Sequence, residues 1–530
     1  MLMHTHWFTR SFPGAASVRR ARVALVAAVV VTQMSCDRTV QPTEALPLLS
    51  PASTDATAGT WRMLVLTSAD QIAVPAPAAV TSDAYRAELV ALKNAQANMT
   101  SAQRTTTAYW GAGGVLRWNE VMRALVARFN LPPAPKADGT YPVPDPENPF
   151  ADPAYPFANP PYAARSYAYV AVAQYEALKA AWFWKYRYNR PAPAITDGAV
   201  RTTVAPTELP SYPSEEAVLS GVTAEMLKNL FPGAVEEITR RAAEQREAAL
   251  LSGRATASDI AAGLALGKAV AAVVLARAAN DGIRSAAGST ALWQGMANAV
   301  RAQGEIAWES QESPKRPPML PNFGRVAAWT LTPAQQEALT PPPPPSTSSA
   351  QMQAELATVK RTVQNLTREQ MAIAYKWNDG AGTYTPPGHW NDIAAEFIAE
   401  ARQSEVRAAR TLALLNMAMH DAGVACWDTK FKYYNPRPAQ LDPSIKTVIG
   451  LPNFPAYPSG HSTFSAAAAT VLSSIFPAHS AQFTQWADEA GISRLYGGIH
   501  FPSDISGGKA HGIAIGQRVV SVSQGDGAQR

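Results

Sequence analysis

In the last quarter of this chain, Lys430-x6-Arg437-Pro438, Pro458-Ser459-Gly460-His461, Ser493-Arg494-x5-His500 and Asp504 follow one another in order. Together they bring three cations, a glycine turn and two imidazoles. Such cations neutralise an oxyanion, and arginine does so with a planar fork that matches two oxygens at once. Ser459-Gly460 is small enough for backbone N–H groups to approach an anion where a helix begins. One histidine can then bond to the central atom while the other moves a proton. The pattern points to a site that grips a tetrahedral oxyanion of the phosphate type and does chemistry on it. A lone Pro-Ser-Gly-His is ordinary turn chemistry. The signal lies in several spaced elements occurring in one order.

The elements that must position these residues are helices. Ser166–Ala181, Ala234–Leu251, Ser258–Ala279, Asp392–Met419, Thr463–Ile475 and Ile505–Val520 are alanine-rich, with apolar residues at the helical period. Strand-like alternation is nearly absent, so the chain reads as all-α, in two tandem helix bundles of which the C-terminal one carries the active site. The expected divisions are a leader over 1–36, a flexible tether over 37–80, a first bundle over 81–335, a proline-rich linker over 336–350 and a second bundle over 351–530. The bundles read as an internal duplication. Tyr457-Pro458-Ser459 repeats Tyr212-Pro213-Ser214 at an offset of 245 residues (457 − 212), and Phe476-Pro477, Ser503-Asp504-Ile505, Trp427 and Lys430 repeat Phe231-Pro232, Ser258-Asp259-Ile260, Trp182 and Lys185 at the same offset. Arg437-Pro438 corresponds to Arg190-Pro191 only after a two-residue slip. Glu215-Glu216 replaces Gly460-His461, Ala249 stands opposite Arg494, and Ala255 opposite His500. The first bundle is therefore expected to be a packing partner and the second the working one.

At 530 residues, 47% hydrophobic and 16% charged, the chain has the composition of a globular protein with large cores. Its net charge of +5 is small for this length, and no Lys/Arg stripe is interleaved with aromatics, so nucleic acid is not expected as a partner. Arg10, Arg19, Arg20 and Arg22 precede the apolar run Val23–Val31, which reads as an export signal and is too short to span a bilayer. Ser35-Cys36 fits a lipoprotein cleavage site with a lipid anchor at Cys36. Gln33 departs from the aliphatic residue such sites favour, so an ordinary cleaved signal fits equally. Both readings send the mature chain to the periplasm or beyond. No later run approaches the length of a membrane span, so none is expected there. Cys426 lies in an apolar stretch and reads as a buried thiol. No Cys/His cluster suggests zinc, haem or iron–sulfur. His389, His479 and His511 read as surface or capping residues, His420-Asp421 as structural, and Pro132–Pro161 as an extended loop crossing or covering the site. The oligomeric state is not legible.

The stretch from Lys430 to Asp504 resembles the tripartite motif shared by type 2 phosphatidic acid phosphatases, bacterial class A acid phosphatases and vanadium-dependent haloperoxidases. Three further features are similar to the haloperoxidase branch: the segment Phe454-Pro455-Ala456-Tyr457-Pro458-Ser459-Gly460-His461, Trp427 three residues before Lys430, and Trp377-Asn378-Asp379-Gly380 followed by Thr385-Pro386-Pro387. The resemblance implies two fused helical bundles holding vanadate, with phosphate able to take the same place. On that basis His500 is the vanadium ligand. Lys430, Arg437, Arg494, Ser459 and Gly460 surround the oxygens, His461 is the acid–base, and Lys430 also hydrogen bonds to peroxide. Asp379 pairs with Arg494, Trp427 and Phe454 stand at the pocket, and Asp504 orients either His500 or His461. The implied reaction is oxidation of a halide by hydrogen peroxide to hypohalous acid, which passes to a small organic acceptor; which halide stays open. The phosphatase branch gives the same residues other work: His500 becomes the nucleophile that forms a phosphohistidine, and His461 protonates the leaving alcohol. A non-catalytic oxyanion-binding protein is the third reading, in which both histidines are superfluous.

Overall fold

The computed structural model describes residues 46–131, 136–138, 140, 159–204 and 208–528. The leader, Cys36 and most of the Pro132–Pro161 loop lie outside them. Regular structure among the described residues is helical, with no strand, as alanine-rich periodicity predicts. The helices that matter below are α1 (Gly114–Phe129), α2 (Pro160–Tyr188), α3 (Pro193–Thr196), α4 (Glu215–Leu230), α5 (Val235–Leu251), α6 (Ala257–Ala279), α7 (Thr385–Glu400), α8 (Glu405–Tyr433), α9 (Pro438–Leu441), α10 (Gly460–Ile475), α11 (Ser480–Tyr496) and α12 (Pro502–Ser523). Helices α2 and α8, 29 residues each, pack on one another at the centre.

The duplication holds helix by helix. Starts at 160, 193, 215, 235 and 257 in the first copy answer starts at 405, 438, 460, 480 and 502 in the second, each 245 residues on. Both long helices end on a left-handed residue, Asn189 and Tyr434. The expected two-residue slip is absent from the backbone: α3 and α9 begin on Pro193 and Pro438, so Ala192 stands opposite Arg437. Arg190 stands opposite Asn435 and still reaches Asp259, 3.3 Å away. A long side chain can start two residues away and keep its charge in place, which is how a slip came to appear in the sequence. The close approach of α12 to α10 depends on Gly512, where a Cβ would lie 2.2 Å from Thr463 O; Gly267 stands equally close to Val218 O in the first copy. Asp421 does the structural work expected of it, accepting from the N–H groups of Trp329 and Thr330 at 2.7 and 2.8 Å. Its counterpart Glu176 accepts from Leu64, Val65 and Leu66. In both copies a buried carboxylate fastens an incoming extended segment.

Several expectations are corrected. The described part of the tether is a packed strap: Trp61, Leu66 and Val74 are buried. Asp55 bonds to Arg407 and Ser404 of the second copy, while Thr54 O accepts from Trp182 of the first. Apolar residues without periodicity suit a strap held by burial and side-chain clamps. The proline run is no free spacer, because Pro341 O and Pro342 O accept from Tyr433 and Tyr457 at 3.0 and 2.6 Å. Extended proline backbone leaves such carbonyls open. The Asp392–Met419 stretch is two helices, broken where Arg402 turns left-handed (φ 50°) and Ser404 caps α8. Ala257–Ser285 is long and apolar enough to cross a membrane by composition, contrary to expectation; here its Gly263–Val274 stripe packs on α4. The described residues form one compact unit in which the two bundles pack on one another.

Candidate active site

The motif residues converge at the N-terminus of α10. Ser459 caps that helix, its Oγ accepting from Ser462 N at 3.4 Å, while its own N–H donates to Asp504 O at 2.9 Å. The loop before α10 is thereby tied to the start of α12. The N–H groups of Gly460 and His461 open the helix and have no intrahelical acceptor. A Cβ on Gly460 would meet Trp427 and Phe464 at ordinary contact distances, 3.8 and 3.9 Å. Packing therefore does not demand glycine here; a Cβ would instead take up space in the adjoining cavity. That cavity, about 300 Å³, is lined by Gly460, His461, Arg494, His500, Asp379 and the aromatic walls Trp427, Phe454 and Phe464.

His500 is buried at the cavity floor. Its Nδ1 lies 2.9 Å from Asp504 Oδ2 and its Nε2 2.9 Å from Arg437 Nη1. A carboxylate accepts and a guanidinium donates, so the ring carries its proton on Nδ1 and presents a lone pair at Nε2. Asp504 thus orients His500, settling the alternative left open by the sequence. Burial, reinforced by Arg437, Lys430 and Arg494, holds the His500 pKa well below the usual imidazole value. The same holds for His461, where burial acts first and Arg494 second. Its Nε2 has no hydrogen-bond partner and lies 3.8 Å from Asp379 Oδ2. Both histidines are therefore neutral bases at ordinary pH.

The three cations are buried, and burial pushes Lys430 down to about 7, Arg437 to about 9 and Arg494 to about 10. Arg437 donates to Phe454 O and Ile499 O as well as to His500. Arg494 donates to Ser493 Oγ and to the carbonyls of Trp377 and Ala374 through Nε and Nη2, and among the described residues its Nη1 has no hydrogen-bond acceptor. Two expected roles change. Lys430 directs its ammonium at Pro455 O, Ala456 O and Pro458 O (2.9, 2.8 and 2.5 Å). With three donors and three carbonyls it fastens the loop and acts on the site through its charge alone. Asp379 does not hydrogen bond to Arg494. Its carboxylate meets His389 Nδ1 at 3.1 and 3.2 Å and acts on Arg494 electrostatically. Phe454 lies 5.1 Å from both Lys430 and Arg437, a cation–π bracket. Trp427 donates to Met319 O, and Cys426 is a buried thiol.

The first copy shows what happens when the same pocket must be filled from within. Lys185 repeats the bond to the loop, to Pro210 O, but also pairs with Glu215 at 2.6 Å. Arg254 pairs with Glu215 and Glu216, and Arg190 with Asp259. Glu215 stands where Gly460 stands in the second copy. Among the described residues, Lys430, Arg437 and Arg494 have no carboxylate within ion-pair distance. Nor do the described residues contain a cluster of three or more His, Cys, Asp or Glu able to hold a metal cation. The donor set fits an oxyanion carrying its own negative charge, vanadate or phosphate, with one imidazole nitrogen for its central atom.

Two buried histidines and part of the cavity wall were not anticipated. His389, read as a surface or capping residue, is largely buried and stacks on Trp377 (centroids 4.3 Å apart). Its place two residues after Thr385-Pro386-Pro387 was the available signal. His511 is also buried, not superficial, and burial takes its pKa down to about 4. Asn130, Asn159 and Pro160 from the first copy, with Glu312, Arg316 and Met319, complete the cavity wall. They carry no motif, because only the packing of one copy on the other brings them there.

Residues 409–527 match the PAP2 superfamily, a span that contains every motif residue from Lys430 to Asp504. No curated protein matches the chain. Among solved structures, a bacterial vanadium-dependent iodoperoxidase is 23% identical and aligns over 68% of this chain and 91% of its own, with a TM-score of 0.53. The holo form of a bacterial vanadium-dependent chloroperoxidase aligns over 74% of this chain and 96% of its own at 13% identity, with a TM-score of 0.48. Residues 409–527 of the second copy thus resemble the PAP2 superfamily, and the iodoperoxidase structure shares the chain's overall helical fold.

Proposed function

We propose that this chain is a vanadate-dependent haloperoxidase that oxidises a halide with hydrogen peroxide to hypohalous acid. One observation carries the oxyanion site: three buried cations stand unpaired around two neutral imidazoles in the second copy, where the first copy fills the equivalent space with its own carboxylates. Support for vanadate chemistry over phosphate-ester hydrolysis comes from the fold shared with a vanadium-dependent iodoperoxidase across most of both chains. The aromatic wall of Trp427, Phe454 and Phe464 also supports it, since it would leave a small halide poorly hydrated.

His500 Nε2, Arg437, Arg494, the Ser459 hydroxyl and the N–H groups of Gly460 and His461 would hold the anion, with Lys430 adding charge from behind. Bound vanadate would supply a Lewis-acidic centre that takes up peroxide and transfers one oxygen to a halide without a change of oxidation state. The protein's own part is to position and to move protons. Asp504 keeps the proton of His500 on Nδ1, so that the Nε2 lone pair, which accepts from Arg437 Nη1, would be freed when Arg437 turns to the anion. Arg494 Nη1 offers a donor where negative charge gathers. The unpartnered His461 Nε2 takes a proton from peroxide and returns one to the departing oxygen. Halide, peroxide and one proton give hypohalous acid and water. The leader-like residues 1–36 support an exported enzyme.

The test adds orthovanadate to metal-free, full-length protein and assays halide oxidation by peroxide beside phosphomonoester hydrolysis. Vanadate-dependent halide oxidation is expected. Ester hydrolysis alone, inhibited by vanadate, would overturn the reading in favour of a phosphatase working through a phosphohistidine.

A further inference from the structure

One carboxylate in this molecule lies between two imidazoles. Asp379 meets His389 Nδ1 at 3.1 and 3.2 Å, and its Oδ2 lies 3.8 Å from the unpartnered Nε2 of His461. His461 opens α10 and faces the cavity, whereas His389 sits at the start of the second turn of α7 on the other side of the carboxylate. The His389 ring is held flat against Trp377 (4.3 Å, 21°) and edge-on to Tyr384 (6.1 Å, 77°). Its side chain keeps 15% of its surface exposed, enough for the far nitrogen to exchange with solvent. Asp379 takes a left-handed backbone (φ 45°) to put its carboxylate there. Both residues lie before position 409, outside the superfamily match.

We propose that His389 and Asp379 form a proton relay that reloads His461 from solvent, with His389 as its outer member. The inference rests on the acid–base role given to His461 above. Each turnover consumes a proton, and although His461 keeps 15% of its side-chain surface exposed, as His389 does, its Nε2 is itself buried and needs a route by which to recover one. His389 Nε2 takes a proton from water or buffer, Nδ1–H passes its proton to Asp379, and Asp379 passes it to His461 Nε2 once the 3.8 Å gap closes. No group is oxidised or reduced, and the ring of His389 ends in the other tautomer, from which it resets through solvent. The charges facing the relay are Arg494 and Glu489 on α11, Lys376 paired with Glu489, and Asp392 behind Tyr384. A merely structural His389 would need the Trp377 stack but not the bond to a carboxylate aimed at His461.

The experiment uses full-length, vanadate-loaded protein with His389→Gln, which keeps a donor for Asp379, and His389→Phe, which keeps the stack on Trp377. In dilute non-imidazole buffer, kcat for halide oxidation should fall by roughly 10-fold or more in both variants. Added imidazole should restore it in a concentration-dependent way, and orthovanadate affinity measured by calorimetry should not change. An unchanged kcat overturns the relay, as does a loss that imidazole fails to restore or that accompanies lost orthovanadate affinity. If the unmodified, vanadate-loaded chain does not oxidise halide, the functional reading fails first and takes the relay with it, an outcome visible before any variant is made.

Discussion

At the residue scale, burial in this molecule repeatedly favours the neutral form of an ionisable group. His461 and His500 are held uncharged by desolvation and neighbouring cations, so the site offers lone pairs to an anion rather than more positive charge. Glu405 is the acidic counterpart, away from that cavity, and burial favours its neutral form too. It caps α1 by accepting from Gly114 N and Val115 N, and burial raises its pKa to about 7. A carboxyl whose folded pKa lies above its unfolded value binds more protons when folded. Its contribution is therefore full below about pH 4 to 5 and declines as pH rises through 7. Glu405→Gln, which cannot ionise, should gain stability relative to the unmodified chain as pH goes from 5 to 8, with a slope of at most roughly 1 kcal/mol per pH unit. Denaturant unfolding at the two pH values measures this, and a difference that stays flat or runs the other way refutes it.

At the scale of elements, α4 and α10 do the same job with different first residues. Both are capped by a serine, Ser214 and Ser459, and both are gripped by a lysine from the preceding long helix that bonds to the loop. Helix α10 then offers free N–H groups to a cavity, whereas α4 starts with Glu215 and Glu216, which close the pocket with ion pairs to Lys185 and Arg254. Glu215→Gly would leave those two cations buried without that partner, at a cost of about 3–5 kcal/mol. The variant should melt earlier than the unmodified chain, and added phosphate or sulfate should recover part of the loss by occupying the vacated space. Calorimetry with and without the anion checks this; a melting temperature indifferent to Glu215 would show that the pairs do not neutralise the first pocket.

Across the whole molecule, the two copies are one folding unit, with α2 on α8 at the centre and the 46–80 strap fastened to both. The cavity belongs to the assembly as a whole: Asn130, Asn159 and Pro160 come from the first copy, and Met319 supports Trp427 from the connection. A fragment spanning 351–530 would keep every motif residue yet lose that wall and the buried Asn119–Asn391 contact between the copies. It should fail to unfold cooperatively and should not bind orthovanadate measurably by calorimetry. A soluble fragment with the full-length affinity would contradict this.

The linear chain by itself carried the helices, the duplication and the residues that converge at the start of α10. Alanine periodicity is local, a repeat at a constant offset survives divergence, and Arg437, Gly460, His461, Arg494, His500 and Asp504 sit near one another in sequence. Tertiary structure alone decided where long side chains end. Lys430 turns to the loop, Asp379 turns to His389 rather than Arg494, and His389 comes in from the surface. The same holds for residues 46–80, whose apolar side chains have no period to betray them and gain their contacts only once both copies are in place. The physical reason is reach: a backbone pattern records local torsions and the faces of helices. The partner of a flexible charged side chain depends on which carbonyls, rings and carboxylates distant segments bring within a few ångströms.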